Sequence, residues 1–94
     1  MTAFADLGLS AKLLEVIEKI GYETPSPIQA QAIPLILSDE KDVVGQASTG
    51  TGKTAAFGLP IIDKLGRAEK KIRALIILPT RELAIQVSKQ LSVF

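Results

Sequence analysis

Ala47-Ser48-Thr49-Gly50-Thr51-Gly52-Lys53-Thr54 is the stretch on which the fold turns. An apolar run, Asp42-Val43-Val44-Gly45, precedes it, and Thr54-Ala55-Ala56-Phe57, able to start a helix, follows it. Strand, glycine-rich turn and helix N-terminus in that order make a phosphate-binding loop. Small residues let the backbone curl until successive N–H groups converge on a polyphosphate. Lys53 adds a movable positive charge for the outer phosphates, and Thr54 supplies a hydroxyl for a magnesium ion. The strict pattern has glycine where Ala47 stands. Alanine is the next smallest residue and relaxes the turn only slightly. The plainer reading is a surface turn rich in Gly and Thr with a stray lysine, and it leaves the flanking strand and helix signals without a purpose.

Composition narrows the chemistry around this loop. Ninety-four residues make at most one small domain. Hydrophobic residues are 47% of the chain and aromatics only 4%, so the apolar mass is mostly Ile, Leu, Val and Ala. That mixture suits a buried parallel sheet with helices on both faces. With a net charge of +1, any nucleic-acid contact must come from a local site rather than a broad basic face. The absence of Cys excludes a disulfide scaffold and a thiolate metal site. The absence of His removes the commonest metal ligand and the commonest neutral-pH base. Carboxylates, Lys, Arg, backbone amides and a borrowed metal ion remain. No signal peptide or bilayer-spanning run is visible, so no membrane partner is expected and the cytoplasm is the expected compartment.

Periodicity predicts the elements. Ser10 caps a helix over 11–20, with Leu13, Leu14, Ile17 and Ile20 on one face and Gly21 as its stop. Glu15 and Lys19 pair on the outer face. A Pro-stiffened stretch, Gly21-Tyr22-Glu23-Thr24-Pro25-Ser26-Pro27, follows. Ser26 as cap and Pro27 at the first helical position open a second helix. Pro34 is expected to interrupt it, with a short turn over 35–37. Strands are expected over 42–46 and 73–78, the second a continuous apolar run. Between them a helix from Lys53 to Lys64 is expected to bend or fray near Pro60. Pro79 ends the second strand, and Thr80 caps a last helix that carries Leu83, Val87 and Leu91 inward.

Two further stretches carry chemistry. Phe4 and then Gly21-Tyr22-Glu23-Thr24-Pro25-Ser26-Pro27-Ile28-Gln29 lie ahead of the loop, and Pro79-Thr80-Arg81-Glu82-Leu83-Ala84 follows the second strand. The amide of Gln29 has a donor side and an acceptor side, matching the N6 and N7 edge of adenine. Arg81 and the N–H groups near Thr80, at a helix N-terminus, suit phosphate. Taken one at a time, Tyr22 and Gln29 read as a lid and a surface amide, and Arg81 as a solvated charge on a capped helix. Lys41, Lys70 and Lys71 read as solvated loop charges. The carboxylates of Asp39, Glu40 and Asp42 read as exposed rather than as a metal cluster.

Taken together with the loop, these stretches resemble the start of a DEAD-box RNA helicase, in the same order and at similar spacings from Phe4 to Phe94. Among bacterial members the cold-shock type is most similar. The resemblance implies an α/β fold: an incomplete RecA-like P-loop NTPase domain, a parallel sheet with flanking helices, ending after the second strand–helix unit. It divides the chain into an adenine-recognition segment (1–30), a strand, loop and helix (42–64), and a second strand and helix (73–94). It implies ATP and Mg2+ as cofactors. Tyr22 would pack on the base, Gln29 would read it, and the Thr24 carbonyl would accept from its amino group. Ser48, Thr49, Gly50, Thr51, Gly52, Lys53, Thr54 and Ala55 would hold the phosphates, with Lys53 and Thr54 as the catalytic pair and Thr54 on magnesium. Phe4 would support the aromatic. Pro79, Thr80 and Arg81 would hold the backbone of single-stranded or duplex RNA, a contact without sequence information. Glu82 would stabilise the helix dipole.

The Asp-Glu-Ala-Asp and Ser-Ala-Thr motifs of that family do not occur in these residues. These 94 residues by themselves are therefore expected to bind nucleotide weakly and not to turn it over. Family cores usually insert later strands between the loop strand and the next in sequence. The chain alone is then expected to self-associate through open sheet edges. Two other readings stay open at this point. A small phosphate-loop kinase would have no need of the Tyr22–Gln29 string, and a nucleotide-binding module would be without chemistry of its own.

Overall fold

The computed structural model describes residues 3–38, 41–48, 50, 52–66 and 72–94. Thr49, Thr51 and the Asp39-Glu40 pair lie outside the described residues. A single 3-10 turn, Phe4–Leu7, comes first. It is followed by α1 (Ala11–Lys19), α2 (Pro27–Ser38), α3 (Lys53–Leu65) and α4 (Arg81–Val93).

Local rules account for most helix ends. The Ser10 hydroxyl accepts from Leu13 N at 3.4 Å and Gly21 takes φ +90°, so α1 starts and stops where its sequence predicts. Glu15 and Lys19 meet at 3.9 Å, both exposed, a pair worth a few tenths of a kcal/mol at about the usual surface value. Leu13 and Ile17 face inward, but Ile20 remains 36% exposed and leaves the predicted stripe. The Thr80 hydroxyl accepts from Leu83 N at 3.2 Å and opens α4, which buries Val87 and half-buries Leu83 and Leu91.

The break expected at Pro34 is corrected, and α3 does not fray at Pro60. Helix α2 runs unbroken through Pro34 to Ser38, and α3 runs through Pro60 to Leu65. A proline removes one intrahelical bond, but packing on either side holds the helix when the loss is local. Pro34 lies on the exposed side of α2. Pro60 is fully buried beside Leu59, in the apolar seam of α3.

The core is built by the N-terminal third on α2 and α3. Phe4, Leu7, Leu9, Leu13, Ile17, Ile33, Ala55 and Leu59 form one buried cluster. Each large member adds about 1.5–3 kcal/mol by leaving water. Asp63 of α3 accepts from Ser10 N at 3.0 Å and fixes the start of α1 to the end of α3. Helix α2 packs chiefly on α3, and α3 also meets α4, where the Leu91 side chain lies over Gly58.

The expected strands are the main departure. Among the described residues, neither 42–46 nor 73–78 forms a sheet ladder, so the parallel sheet is not present among them. A strand is defined by its partner, and these two segments do not pair with each other. Their apolar residues stand open: Val44 is 98% exposed, Leu75 81% and Ile77 83%. Val43 and Gly45 of the first segment and Leu78 of the second instead border a cavity of about 750 Å3.

Candidate nucleotide site

Gln29 is the hinge of the site. It is 5% exposed, the one buried polar side chain among the described residues. Its Oε1 accepts from Ser26 N at 3.0 Å, while Ser26 Oγ accepts from Gln29 N at 3.4 Å. This reciprocal pair is a capping box, and it starts α2. From the same amide, Nε2 donates to the Gly52 carbonyl at 3.1 Å, joining residues 23 apart in sequence. The Gly21–Gln29 stretch and the glycine-rich loop are therefore joined through this side chain. A glutamine amide has two N–H donors and two acceptor lone pairs. One donor and one lone pair stay available after these bonds, the complement that adenine's edge needs.

The loop itself is closed on its own lysine. Lys53 Nζ donates to the Ala47 carbonyl at 2.7 Å. Gly50 and Gly52 take φ +82° and +80°, a backbone region that favours glycine. At Gly52 a Cβ would fall on Gln29 Nε2, so the close approach also demands glycine. Lys53 and Thr54 open α3, Thr54 half-buried and Ala55 fully buried. Ser48 and Thr24 are exposed.

The cavity of about 750 Å3 takes in part of the loop but not Tyr22, Thr24, Gln29 or Ser48, and much of its wall is apolar side chains of α2, α3 and α4. Gly50, Gly52, Lys53 and Thr54 line one side, and Gln86 and Gln90 of α4 the other. Its size is within the range of small-molecule sites. Pro79, Thr80 and Arg81 are exposed and stand outside its lining, at the start of α4.

Tyr22 is placed by aromatic neighbours. Its ring stacks on Phe4 at 6.1 Å between centroids and meets Phe94 edge-on at 6.2 Å. The family resemblance implies a supporting role for Phe4, and the buried Phe4 ring lies against Tyr22. Three contacts escaped the sequence reading: Gln29 with Gly52, Asp63 with Ser10, and α4 with Tyr22. Only the first had a local trace, the Ser26-x-x-Gln29 capping signature.

A nucleotide with magnesium fits what is present. The Lys53 ammonium rests on a neutral carbonyl that a phosphate would outcompete. No group of three His, Cys, Asp or Glu side chains able to hold a metal occurs among the described residues. The Thr54 hydroxyl, at the start of α3, is an oxygen that a magnesium ion held by phosphates and water could take as a ligand.

Known proteins match this chain over most of its length. A family profile described as DEAD/DEAH box helicase matches residues 26–94. The chain is 56% identical over 91 residues to the DEAD-box ATP-dependent RNA helicase CshA of Geobacillus kaustophilus, covering 97% of this chain and 19% of that protein. A solved DEAD box protein from the hyperthermophile Methanococcus jannaschii superposes with TM-score 0.91 at 45% identity, over 99% of this chain and 25% of that one. An RNA helicase from Chaetomium thermophilum, solved bound to ADP, gives 0.87 at 40% identity, over 99% of this chain and 24% of that one. The chain thus spans about a fifth of the length of the curated relatives it matches. Among the described residues, no helix is long and apolar enough to cross a membrane.

Proposed function

Because the chain belongs to the DEAD/DEAH box helicase family, we propose that it is the ATP-binding amino-terminal segment of an ATP-dependent RNA helicase that unwinds or remodels RNA duplexes in the cytoplasm. The observation that carries this reading is the Gln29 clasp on Gly52. It sets an adenine-reading amide directly against a phosphate loop, which a general phosphate-binding turn does not require. A small kinase has no use for that clasp.

In this reading Tyr22 packs on the base, Gln29 reads its edge, and the Thr24 carbonyl accepts from its amino group. The 48–55 backbone receives the phosphates. Lys53 leaves Ala47 to hold the outer phosphates, and Thr54 offers its hydroxyl to magnesium. ATP supplies a phosphoanhydride whose cleavage drives the RNA cycle. Pro79, Thr80 and Arg81 hold the RNA backbone through a helix N-terminus and a guanidinium, independent of sequence. Hydrolysis also needs a carboxylate to place water and cations to clamp the transition state. These 94 residues lack the Asp-Glu-Ala-Asp string, and alone they bind nucleotide weakly without turnover.

A nucleotide panel tests both parts. In the full-length protein, ATP is expected to bind in strong preference to GTP, and Gln29→Ala to weaken ATP by about tenfold or more and to abolish most of that preference. The 94-residue chain is expected to show no magnesium-dependent hydrolysis. Equal affinity for GTP and ATP before substitution would remove the adenine reading.

The open apolar segments carry a second proposal, self-association of the isolated chain. Ile72, Leu75 and Ile77 are almost fully solvent-facing, and unpaired strand-forming segments recruit one another. Sedimentation velocity of residues 1–94 is expected to show oligomers that grow with concentration. Replacing Leu75 and Ile77 by Lys should return the chain to monomer. A monomer at all concentrations would contradict it.

A further inference from the structure

The C-terminal turn of α4 reaches the base side of the site. Gln90 Nε2 donates to the Tyr22 hydroxyl at 3.4 Å across 68 residues of sequence. Gln90 is half-buried, on the turn of α4 that faces Tyr22. Phe94, one turn on, meets the Tyr22 ring at 73°. Phe4 stacks on the ring at 30° and so restrains its tilt, but an aromatic stack leaves sliding in the ring plane unopposed. Phe94 opposes the slide at the ring edge, and the Gln90 hydrogen bond opposes it at the hydroxyl.

We propose that Gln90 is a positioning residue for Tyr22, holding the aromatic ring in the place where it meets adenine. The inference rests on the reading of Tyr22 as the surface for the base, and it extends that reading to a helix the nucleotide need not touch. Gln90 acts through Tyr22 and has no part with the phosphates. Its loss should therefore be felt by ligands with a base and ignored by those without one. A residue that only stabilised the fold would affect both alike.

The test compares ADP with tripolyphosphate in the full-length protein. Gln90→Leu keeps a good helix former on a cavity wall that is largely apolar, and circular dichroism checks that the helix content is retained. It is expected to weaken ADP about fivefold and leave tripolyphosphate unchanged. Tyr22→Phe, which removes the hydroxyl, should give a similar loss, and adding Gln90→Leu to it should change nothing further. Gln90→Glu, able to accept from the tyrosine hydroxyl, should recover most of the affinity. Equal losses for ADP and tripolyphosphate, no loss for either, or additive effects in the double variant would overturn the positioning role. Should Tyr22→Ala leave ADP binding intact, the base-packing reading itself fails, and the role of Gln90 falls with it.

Discussion

Gly52→Ala is expected to lower the affinity of the full-length protein for ATP by about a hundredfold. Two separate penalties meet at this position. The backbone sits at φ +80°, where a residue with a Cβ is strained by about 1–2 kcal/mol. The new Cβ would also fall on Gln29 Nε2 and push the amide off the Gly52 carbonyl. Gln29 is nearly fully buried, so a displaced amide leaves polar atoms without partners at about 1–3 kcal/mol. Gly50 provides the matched comparison. Its φ is +82°, but a Cβ there meets nothing within 4 Å. Gly50→Ala should therefore carry the strain alone and weaken ATP by only about tenfold. Isothermal titration of both variants separates the terms. Equal losses at 50 and 52 would mean that the Gln29 clasp contributes nothing to nucleotide binding.

Lys53→Ala is expected to reduce RNA-stimulated ATP hydrolysis of the full-length protein by about a thousandfold. Lys53 is the loop's own cation, and it emerges at the first turn of α3. Charge-assisted contacts to a transferring phosphoryl group are strongest in a site that excludes water. Lys53→Arg should not rescue the rate. The planar guanidinium is larger than an ammonium and cannot occupy the space between loop and helix as a point charge. The measurement is steady-state phosphate release at saturating ATP and RNA. Retention of more than about a tenth of the rate would assign the charge stabilisation to other groups.

What was legible in the sequence is what short-range chemistry decides. Ser10, Gly21, Ser26, Pro27 and Thr80 mark helix ends because a cap is settled within a turn of chain. Gly50, Gly52 and Lys53 could be singled out because a phosphate loop is one contiguous string. Pro34 and Pro60 misled because their effect depends on what packs around the helix, which lies outside the local window. The strand segments form no ladder among the described residues for a related reason. Residues 73–78 have the right composition for a buried strand, but a ladder requires a neighbour that composition does not supply. The clasp between Gln29 and Gly52 and the reach of Gln90 to Tyr22 join distant positions. No spacing rule announces either one.

The hydrogen bond from Lys53 to the Ala47 carbonyl also bears on how a spent nucleotide departs. An ammonium left bare after the phosphates withdraw would pull them back and slow their escape. The Ala47 oxygen, already bound to the ammonium, would take over the charge as an anion leaves, so departure would exchange one partner for another. The same exchange runs in reverse on arrival, and it subtracts from the grip on any triphosphate that enters. On the proposed function, the carbonyl would thus weaken the hold on a triphosphate and ease the exit of its product.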